Sequence, residues 1–147
     1  MHKVIFIIIS ISFLVISATS QAQMEPFEPV TDKILLNPDP GDWLMYSRTY
    51  DNQRFSPLDQ INRENIDQLE LVWTRDMYAG PQENIPIVYK GVMFVVNPQS
   101  VVQAINATNG ELIWEYNRTL PDDLGDYVAS IGRNRTVAIY QNLIYYA

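Results

Sequence analysis

Apolar runs separated by tight polar turns recur along the second half of the chain. Residues 86–96 form one such run, and residues 137–147 repeat its pattern at an offset of 51 positions. The residues between the two copies, 101–114, supply two more strand-like segments around a glycine turn. Strands joined by tight turns and repeated at a fixed spacing indicate radial repeats. The predicted fold class is therefore all-β, a β-propeller, with one four-stranded blade and the start of the next.

The turns of the predicted blade carry residue types that suit them. Gly91 and Gly110 permit the positive φ that tight turns require. Asn106 and Asn109 are expected to hydrogen-bond their own backbone and tighten the turn around Gly110. Trp114 ends the blade, and its flat ring is expected to wedge between adjacent blades with its N–H bonded to a carbonyl. We therefore interpret Trp114 as a structural residue.

The region before the blade is less regular. Four prolines interrupt residues 23–42, so a Pro-rich lead-in is expected there, with one helical turn at 31–37. Residues 43–50 are rich in aromatic side chains and are expected to dock on the domain surface or between blades. A short helix is expected at 62–69 and a strand at 70–74, from their apolar spacing.

The first 22 residues have the composition of a cleavable secretory signal. A short basic start precedes an apolar run at 4–17, and Ser20 and Ala22 place small residues at the cleavage site. The apolar run is shorter than the ~20 residues that span a membrane, which favours cleavage over anchoring. We therefore expect a periplasmic protein whose mature chain has no stable membrane span. The predicted division is a signal (1–22), a lead-in (23–42) and part of a propeller (43–147).

Charge and residue usage exclude several kinds of site and partner. The net charge is −7 and no basic patch is present, which argues against a nucleic-acid partner. The chain has no cysteine, so it forms neither a disulfide nor a thiolate metal site. A cluster at Asp122, Asp123 and Asp126 is interpreted as a solvated loop. The chain stops at Ala147 inside an apolar strand, so we interpret it as a fragment of a longer propeller.

Several segments resemble the quinoprotein alcohol dehydrogenases, the methanol and ethanol family that uses pyrroloquinoline quinone (PQQ). They are residues 41–48 (GDWLMYSR), 54–62 (RFSPLDQIN) and 104–114. The last resembles the family's tryptophan-docking pattern, A-x-[DN]-x-x-T-G-x-x-x-W, at Ala104, Asn106, Gly110 and Trp114. Asn109 stands where the family has Thr, and Asn suits a turn equally well. The resemblance implies an eight-bladed propeller several times longer than this chain.

The resemblance also implies which residues contact the cofactor. The family places a Glu before the first blade strand, in a pattern like E-x-x-P-[LI]-V, which matches Glu83. It places an Arg in the pattern N-R-x-[VL]-A-I-Y, which matches Arg135. PQQ carries three carboxylates, and a guanidinium forms forked hydrogen bonds to a carboxylate. Glu83 beside this polyanion requires a balancing cation, and the family's Ca²⁺ is one source of it.

For Arg135 the residues themselves leave another interpretation open. It is also compatible with a solvated loop cation or with a salt bridge to Asp122 or Asp126, and Arg133 is near enough in sequence to replace it in register. The Ca²⁺ ligands and the catalytic Asp of the family are expected downstream of residue 147. No catalytic or metal-binding residue is therefore assigned within the chain.

The activity implied by the resemblance is oxidation of an alcohol by hydride transfer to PQQ, assisted by Ca²⁺, with electrons passing to cytochrome c or another acceptor. Residues 1–147 alone are expected to be inactive. Many alcohol-oxidising members carry adjacent cysteines where this chain has Ala129 and Ser130. The alternatives are a non-enzymatic propeller scaffold with the same docking pattern, or a sugar dehydrogenase on the same fold.

Overall fold

One antiparallel sheet and one hairpin form the regular part of the protein. The computed structural model describes residues 27–128 and 135–146. The elements are α1 (Asp32–Leu36), β1 (Ile87–Tyr89), β2 (Val92–Asn97), β3 (Val101–Asn106), β4 (Leu112–Asn117), β5 (Ala138–Tyr140) and β6 (Leu143–Tyr145), with 3-10 turns at Ile66–Gln68, Pro98–Ser100 and Leu124–Asp126. Strands β1 to β4 are hydrogen-bonded in chain order, and β5 pairs with β6. The predicted four-stranded blade and the start of a second are confirmed.

Some sequence predictions fall outside the part of the chain that the structure describes. The signal interpretation of residues 1–22, and the positions of Ala129, Ser130 and Arg133, lie outside it. In the described residues, no helix has both the length and the apolar character needed to cross a bilayer.

The hairpin repeats the first two strands of the blade at the predicted spacing. In the blade Ile87 lies opposite Phe94, and in the hairpin Ala138 lies opposite Tyr145, so both pairs are offset by 51 positions. The β1–β2 turn contains Gly91 with φ +75°, a backbone conformation that glycine adopts without a steric penalty. The sequence repeat therefore corresponds to a repeat of structure.

The hydrophobic core lies between the blade and the hairpin. Val137 and Ile139 of the second repeat, together with Val30, pack against one face of the first sheet. That face contributes the side chains of Ile87, Tyr89, Phe94, Val96, Val102 and Ala104, and Leu44 of the preceding segment belongs to the same cluster. Fully burying a Val, Leu, Ile or Phe side chain stabilises a fold by roughly 1.5–3 kcal/mol. Contact between consecutive blades is therefore the main apolar interaction in the described residues.

The opposite face of the sheet is contacted by the segment that precedes the blade. Arg75 donates from Nη1 to the carbonyl of Gly110 (3.2 Å), and the Tyr78 hydroxyl donates to Oε1 of Glu115 (2.9 Å). The strand predicted at 70–74 is wrong, since these described residues form no ladder with the sheet. Each hydrogen bond found between this segment and the blade therefore has a side chain as its donor or its acceptor.

A chain of polar side chains crosses this face of the sheet. Gln103 donates to Glu115 (2.7 Å), Asn97 donates to Gln103 (3.1 Å), and the Tyr78 amide donates to the Asn97 side chain (3.2 Å). The hydrogen bonds from Gln103 and then Tyr78 lower the pKa of Glu115, and the bond to Glu115 raises the pKa of Tyr78. Each buried amide therefore has a partner, as buried polar groups require.

The lead-in, together with Trp43 directly after it, contacts both blades through backbone pairing. Trp43 and Val88 exchange two hydrogen bonds of 2.8 and 2.9 Å, so this segment adds to the free edge of β1. Val30 and Gln141 exchange two more, of 2.8 and 2.6 Å, at the turn of the second repeat. Helix α1 lies between these two contacts in the chain, as the expected helical turn at 31–37, and is capped by Thr31. The lead-in therefore ties the first blade to the second.

The helix predicted at 62–69 is shorter in the structure. Its helical part is a single 3-10 turn at Ile66–Gln68, and Asn62 accepts a hydrogen bond from the Glu64 amide instead of capping a longer helix. Ile61 and Ile66 are each about 60% exposed, so the apolar side chains of this segment are not buried. Without that burial, a helix of this length is marginal.

Asp42 provides a test of how the lead-in is held. It is buried, and its Oδ1 accepts a hydrogen bond from the Lys90 amide (2.9 Å). Burial is the main cause that raises its pKa above the usual value, and the charge of Asp39 raises it further. Because the pKa of Asp42 is raised in the folded protein, the stability that this group contributes is fully present below its unfolded pKa of about 3.9. That contribution is lost as the pH rises through the folded pKa.

Asp42→Asn is therefore expected to become progressively more favourable than wild type as the pH increases. The amide oxygen keeps the bond from Lys90 but carries no charge that burial can penalise. Urea unfolding at pH 3.5 and pH 7, with exposed Asp122→Asn as the control, measures the difference between variant and wild type. A difference that is the same at both pH values would show that folding does not raise the pKa of Asp42.

Candidate functional site

The two residues that the sequence motifs single out lie on segments that precede equivalent strands of the two repeats. The amide of Ile85, just before β1, donates to the carbonyl of Arg135, just before β5 (2.6 Å). The Thr136 hydroxyl donates towards the carbonyl of Ile85 (3.2 Å). Ile85 and Thr136 are themselves related by the 51-residue repeat. The propeller topology therefore brings the same point of consecutive blades to one place.

Glu83 and Arg135 form an ion pair at this place. Nε of Arg135 is 3.2 Å from Oε2 of Glu83, and their side chains are 40% (Glu83) and 77% (Arg135) exposed. Of the alternatives left open by the sequence, pairing with Asp122 or Asp126 is not what the described residues show, because the carboxylate that meets Arg135 is that of Glu83. The structure therefore brings together both residues that the motifs matched.

The pair fits a ligand that carries several carboxylates. The Arg135 side chain is mostly exposed, and only its Nε atom is directed at Glu83, so the guanidinium can also donate to a bound carboxylate. The cation also offsets the charge of Glu83, which a polyanionic ligand would otherwise oppose. Within this pair, Arg135 supplies a positive charge beside Glu83, a role for which the sequence analysis offered Ca²⁺ as one source.

The segment that contains Glu83 is also fastened to the blade. Nδ2 of Asn84 donates to the carbonyl of Val96 at the end of β2 (2.7 Å) and to Oε1 of Gln82 (3.0 Å). The motif patterns leave the positions of Asn84 and Thr136 unspecified, so sequence reasoning missed both. Their only sequence signal is that each directly follows a motif residue and has a side chain able to hydrogen-bond backbone.

The docking turn has the geometry that its sequence predicts. Asn106 accepts a hydrogen bond from the Thr108 amide (2.9 Å), and Asn109 accepts one from the Glu111 amide (3.0 Å). Gly110 has φ +75°, and its amide donates to the carbonyl of Asn106 (2.8 Å). These bonds close the turn between β3 and β4 with both asparagines used as predicted.

The indole that packs on this turn belongs to Trp73. Its Nε1 donates to the carbonyl of Ala107 (3.0 Å), and its ring covers Gly110 so closely that an added Cβ would lie 2.6 Å from Cε3. The sequence placed this type of contact at Trp114. Trp73 was missed because it lies 34 residues before its partner, in a segment that was predicted to be a strand.

Trp114 lies on the other face of the blade. It is opposite fully buried Ala104 in the ladder, is 39% exposed, and has its ring centroid 6.0 Å from that of Phe94. Together with Ile144 and Tyr146 it lines a cleft of about 490 Å³ between the blade and the hairpin. The ring therefore faces the second repeat, while its predicted N–H bond to a carbonyl is not formed within the described residues.

The acidic loop offers no metal site in this structure. Asp123 and Asp126 belong to a tight turn in which the Asp126 amide donates to the Asp123 carbonyl (2.9 Å). Among residues 27–128 and 135–146, no group of three or more His, Asp or Glu side chains is placed to hold a metal ion.

A family model for the PQQ β-propeller domain of glucose, ethanol and alcohol dehydrogenases matches residues 43–143. The match includes the blade, the docking turn and both residues of the ion pair. The chain therefore belongs to this family of quinoprotein dehydrogenases.

Individual relatives and solved structures agree with this assignment. The dehydrogenase subunit of the quinone alcohol dehydrogenase from Gluconacetobacter polyoxogenes is 34% identical over 136 residues, which is 90% of this chain and 18% of the relative. The structure of the quinohemoprotein alcohol dehydrogenase ADHIIG from Pseudomonas putida HK5 superposes with a TM-score of 0.71 and 36% identity, over 81% of this chain and 18% of that one. A europium-containing methanol dehydrogenase superposes with a TM-score of 0.67 and 27% identity, over 78% and 21%. The chain thus spans about a fifth of the length of these proteins.

Proposed function

We propose that this chain is the opening part of a periplasmic PQQ-dependent alcohol dehydrogenase, in which Glu83 and Arg135 contact the cofactor. The observation that carries the proposal is the 3.2 Å ion pair between these two residues, which lie at equivalent points of consecutive blades. The quinone alcohol dehydrogenases among its relatives support the reaction class. The composition of residues 1–22 supports secretion to the periplasm.

In this proposal the chain's own residues bind and orient the cofactor. The Arg135 guanidinium donates hydrogen bonds to a cofactor carboxylate, and Glu83 holds that guanidinium through Nε. Bound PQQ supplies an acceptor for the hydride of the alcohol, with Ca²⁺ as the Lewis acid. The proposed Ca²⁺ ligands and the catalytic base lie downstream of residue 147, and cytochrome c is the proposed electron acceptor.

The proposal is tested on the full-length protein to which residues 1–147 are proposed to belong. It is purified free of cofactor and titrated with PQQ in the presence of Ca²⁺, with tryptophan fluorescence as the readout. We expect saturable binding, and after reconstitution we expect reduction of cytochrome c that depends on a primary alcohol. Omitting PQQ is the control for background reduction. A protein that does not bind PQQ would instead be a propeller scaffold, the alternative that shares the docking turn.

The 147 residues alone are expected to turn over no alcohol. The relative from Gluconacetobacter polyoxogenes is about five times as long as this chain, and a single sector of a propeller leaves most of the walls of its central chamber missing. The same cytochrome c assay on residues 23–147, supplied with PQQ and Ca²⁺, measures this. Turnover by that piece would show that the site is complete within it.

A further inference from the structure

The Glu83–Arg135 ion pair requires support from elsewhere in the fold. Both side chains are long and substantially exposed, and exposed pairs contribute little because water and side-chain entropy compete with them. A geometry that binds a rigid cofactor therefore depends on how firmly the two backbones are held relative to each other. The hydrogen bond from the Ile85 amide to the Arg135 carbonyl (2.6 Å) supplies one point of attachment.

Thr136 supplies a second point of attachment. Its half-buried hydroxyl has one proton and faces two carbonyls, that of Ile85 at 3.2 Å and that of Val137 at 3.1 Å. Thr136 directly follows Arg135, and Ile85 lies two residues after Glu83. Two adjacent cross-links between the segments fix their rotation as well as their separation, which a single hydrogen bond does not.

Asn84 fastens the same segment on its other side. Its side-chain amide donates to the Val96 carbonyl at the end of β2 (2.7 Å). Glu83 is thus next to Asn84, which is bonded to the first blade. Arg135 is next to Thr136, which is bonded to the segment that contains Glu83. Neither the Asn84 side chain nor the Thr136 side chain belongs to the ion pair itself.

We infer that Thr136 is a positioning residue for the cofactor, with Asn84 as its counterpart on the first blade. Its hydroxyl holds the segment before β5 against the segment before β1, and this keeps the Arg135 guanidinium and the Glu83 carboxylate in one orientation. The inference rests on the proposed role of this pair in binding PQQ.

The test is a PQQ titration of the cofactor-free, full-length protein and of its variants. Thr136→Val keeps the shape of the side chain but removes the hydroxyl, and we expect it to raise the dissociation constant about tenfold, the effect of one net hydrogen bond. Thr136→Ser restores the hydroxyl, so its dissociation constant should lie within about twofold of wild type. Thr119→Val, at an exposed loop position, is the matched control and should change nothing.

A double-mutant cycle separates positioning from general stability. If Thr136 acts through the pair, Thr136→Val should have little further effect on affinity in a Glu83→Gln background, so the two changes are not additive. Additive effects, or a Val variant that lowers the melting temperature without changing affinity, would overturn the inference. Should the Val variant fail to fold, Thr136→Ala and Asn84→Ala are titrated in its place with the same expected direction.

Failure of the inference is distinguishable from failure of the proposed function. Wild-type protein that does not bind PQQ contradicts the proposed function, whatever the variants do. Wild-type protein that binds PQQ, with Thr136→Val binding equally well, contradicts the positioning role alone.

Discussion

Gly110→Ala is expected to destabilise the protein by about 2–5 kcal/mol, the largest effect that we predict for a single methyl group. The residue has φ +75°, where an L side chain costs roughly 1–2 kcal/mol. The new Cβ would also lie 2.6 Å from Cε3 and 2.9 Å from Cδ2 of Trp73, and forcing a ring out of a packed position costs about 1–3 kcal/mol. Urea unfolding, analysed at constant m-value, measures the loss.

Gly91→Ala is the matched control for this prediction. Gly91 has the same φ of +75°, but an added Cβ there meets nothing within 4 Å. Its loss should therefore be limited to the backbone cost of about 1–2 kcal/mol. Equal losses of stability at Gly91 and Gly110 would show that the Trp73 ring is not packed against the docking turn. In a Trp73→Ala background, the cost of the alanine substitution should fall at Gly110 but not at Gly91.

Arg135→Ala is expected to weaken PQQ binding by about 1.5–3 kcal/mol, which is roughly a 10- to 150-fold increase in the dissociation constant. In the proposed site, the substitution removes the hydrogen bonds that Arg135 donates to a cofactor carboxylate. It also leaves Glu83 without the cation that lies 3.2 Å from it, beside a polyanionic ligand. The dissociation constant of Arg135→Lys should lie between those of wild type and Arg135→Ala, because lysine keeps the charge but not the forked geometry.

Arg63→Ala controls for the loss of one positive charge, since Arg63 is an exposed residue of the segment before the blade. It should leave the dissociation constant of PQQ unchanged at moderate salt, where distant surface charges are screened. A titration in which Arg135→Ala binds as tightly as wild type would remove Arg135 from the cofactor site.

The blade was predictable because its determinants are local. The offset between residues 86–96 and 137–147, and the glycines and asparagines of the turns, are each visible within a few positions of sequence. The structure adds the pairing register, which places Ile87 opposite Phe94. Local signals of this kind fix strands and turns, while blade-to-blade contacts follow from the repeat.

The docking contact of Trp73 was not predictable in the same way. Residues 70–74 carry β-branched and aromatic side chains that favour a strand, yet propensity does not decide whether a partner edge is available. The structure places the hydrogen bonds of this segment on side chains instead, with Trp73 reaching Ala107. Contacts across 34 residues leave no periodic trace in the sequence.

The Glu83–Arg135 pair was predictable only in part. Each residue alone has the composition of an ordinary surface charge, and only the motif patterns singled them out. Nothing in residue type or spacing indicated that Glu83, rather than Asp122 or Asp126, is the carboxylate beside Arg135. That pairing arises because two extended segments before equivalent strands meet at one point of the fold.

The pairing of Val30 with Gln141 sets an order of events during biogenesis. Val30 is synthesised early, but its backbone partner follows roughly 110 residues later, after the whole first sheet. Local hairpins form within microseconds, whereas closing so long a loop carries a larger entropic cost and is slower. The residues around Val30 are therefore among the last to reach their final place, later than the Trp43–Val88 pair, whose partners are only 45 positions apart.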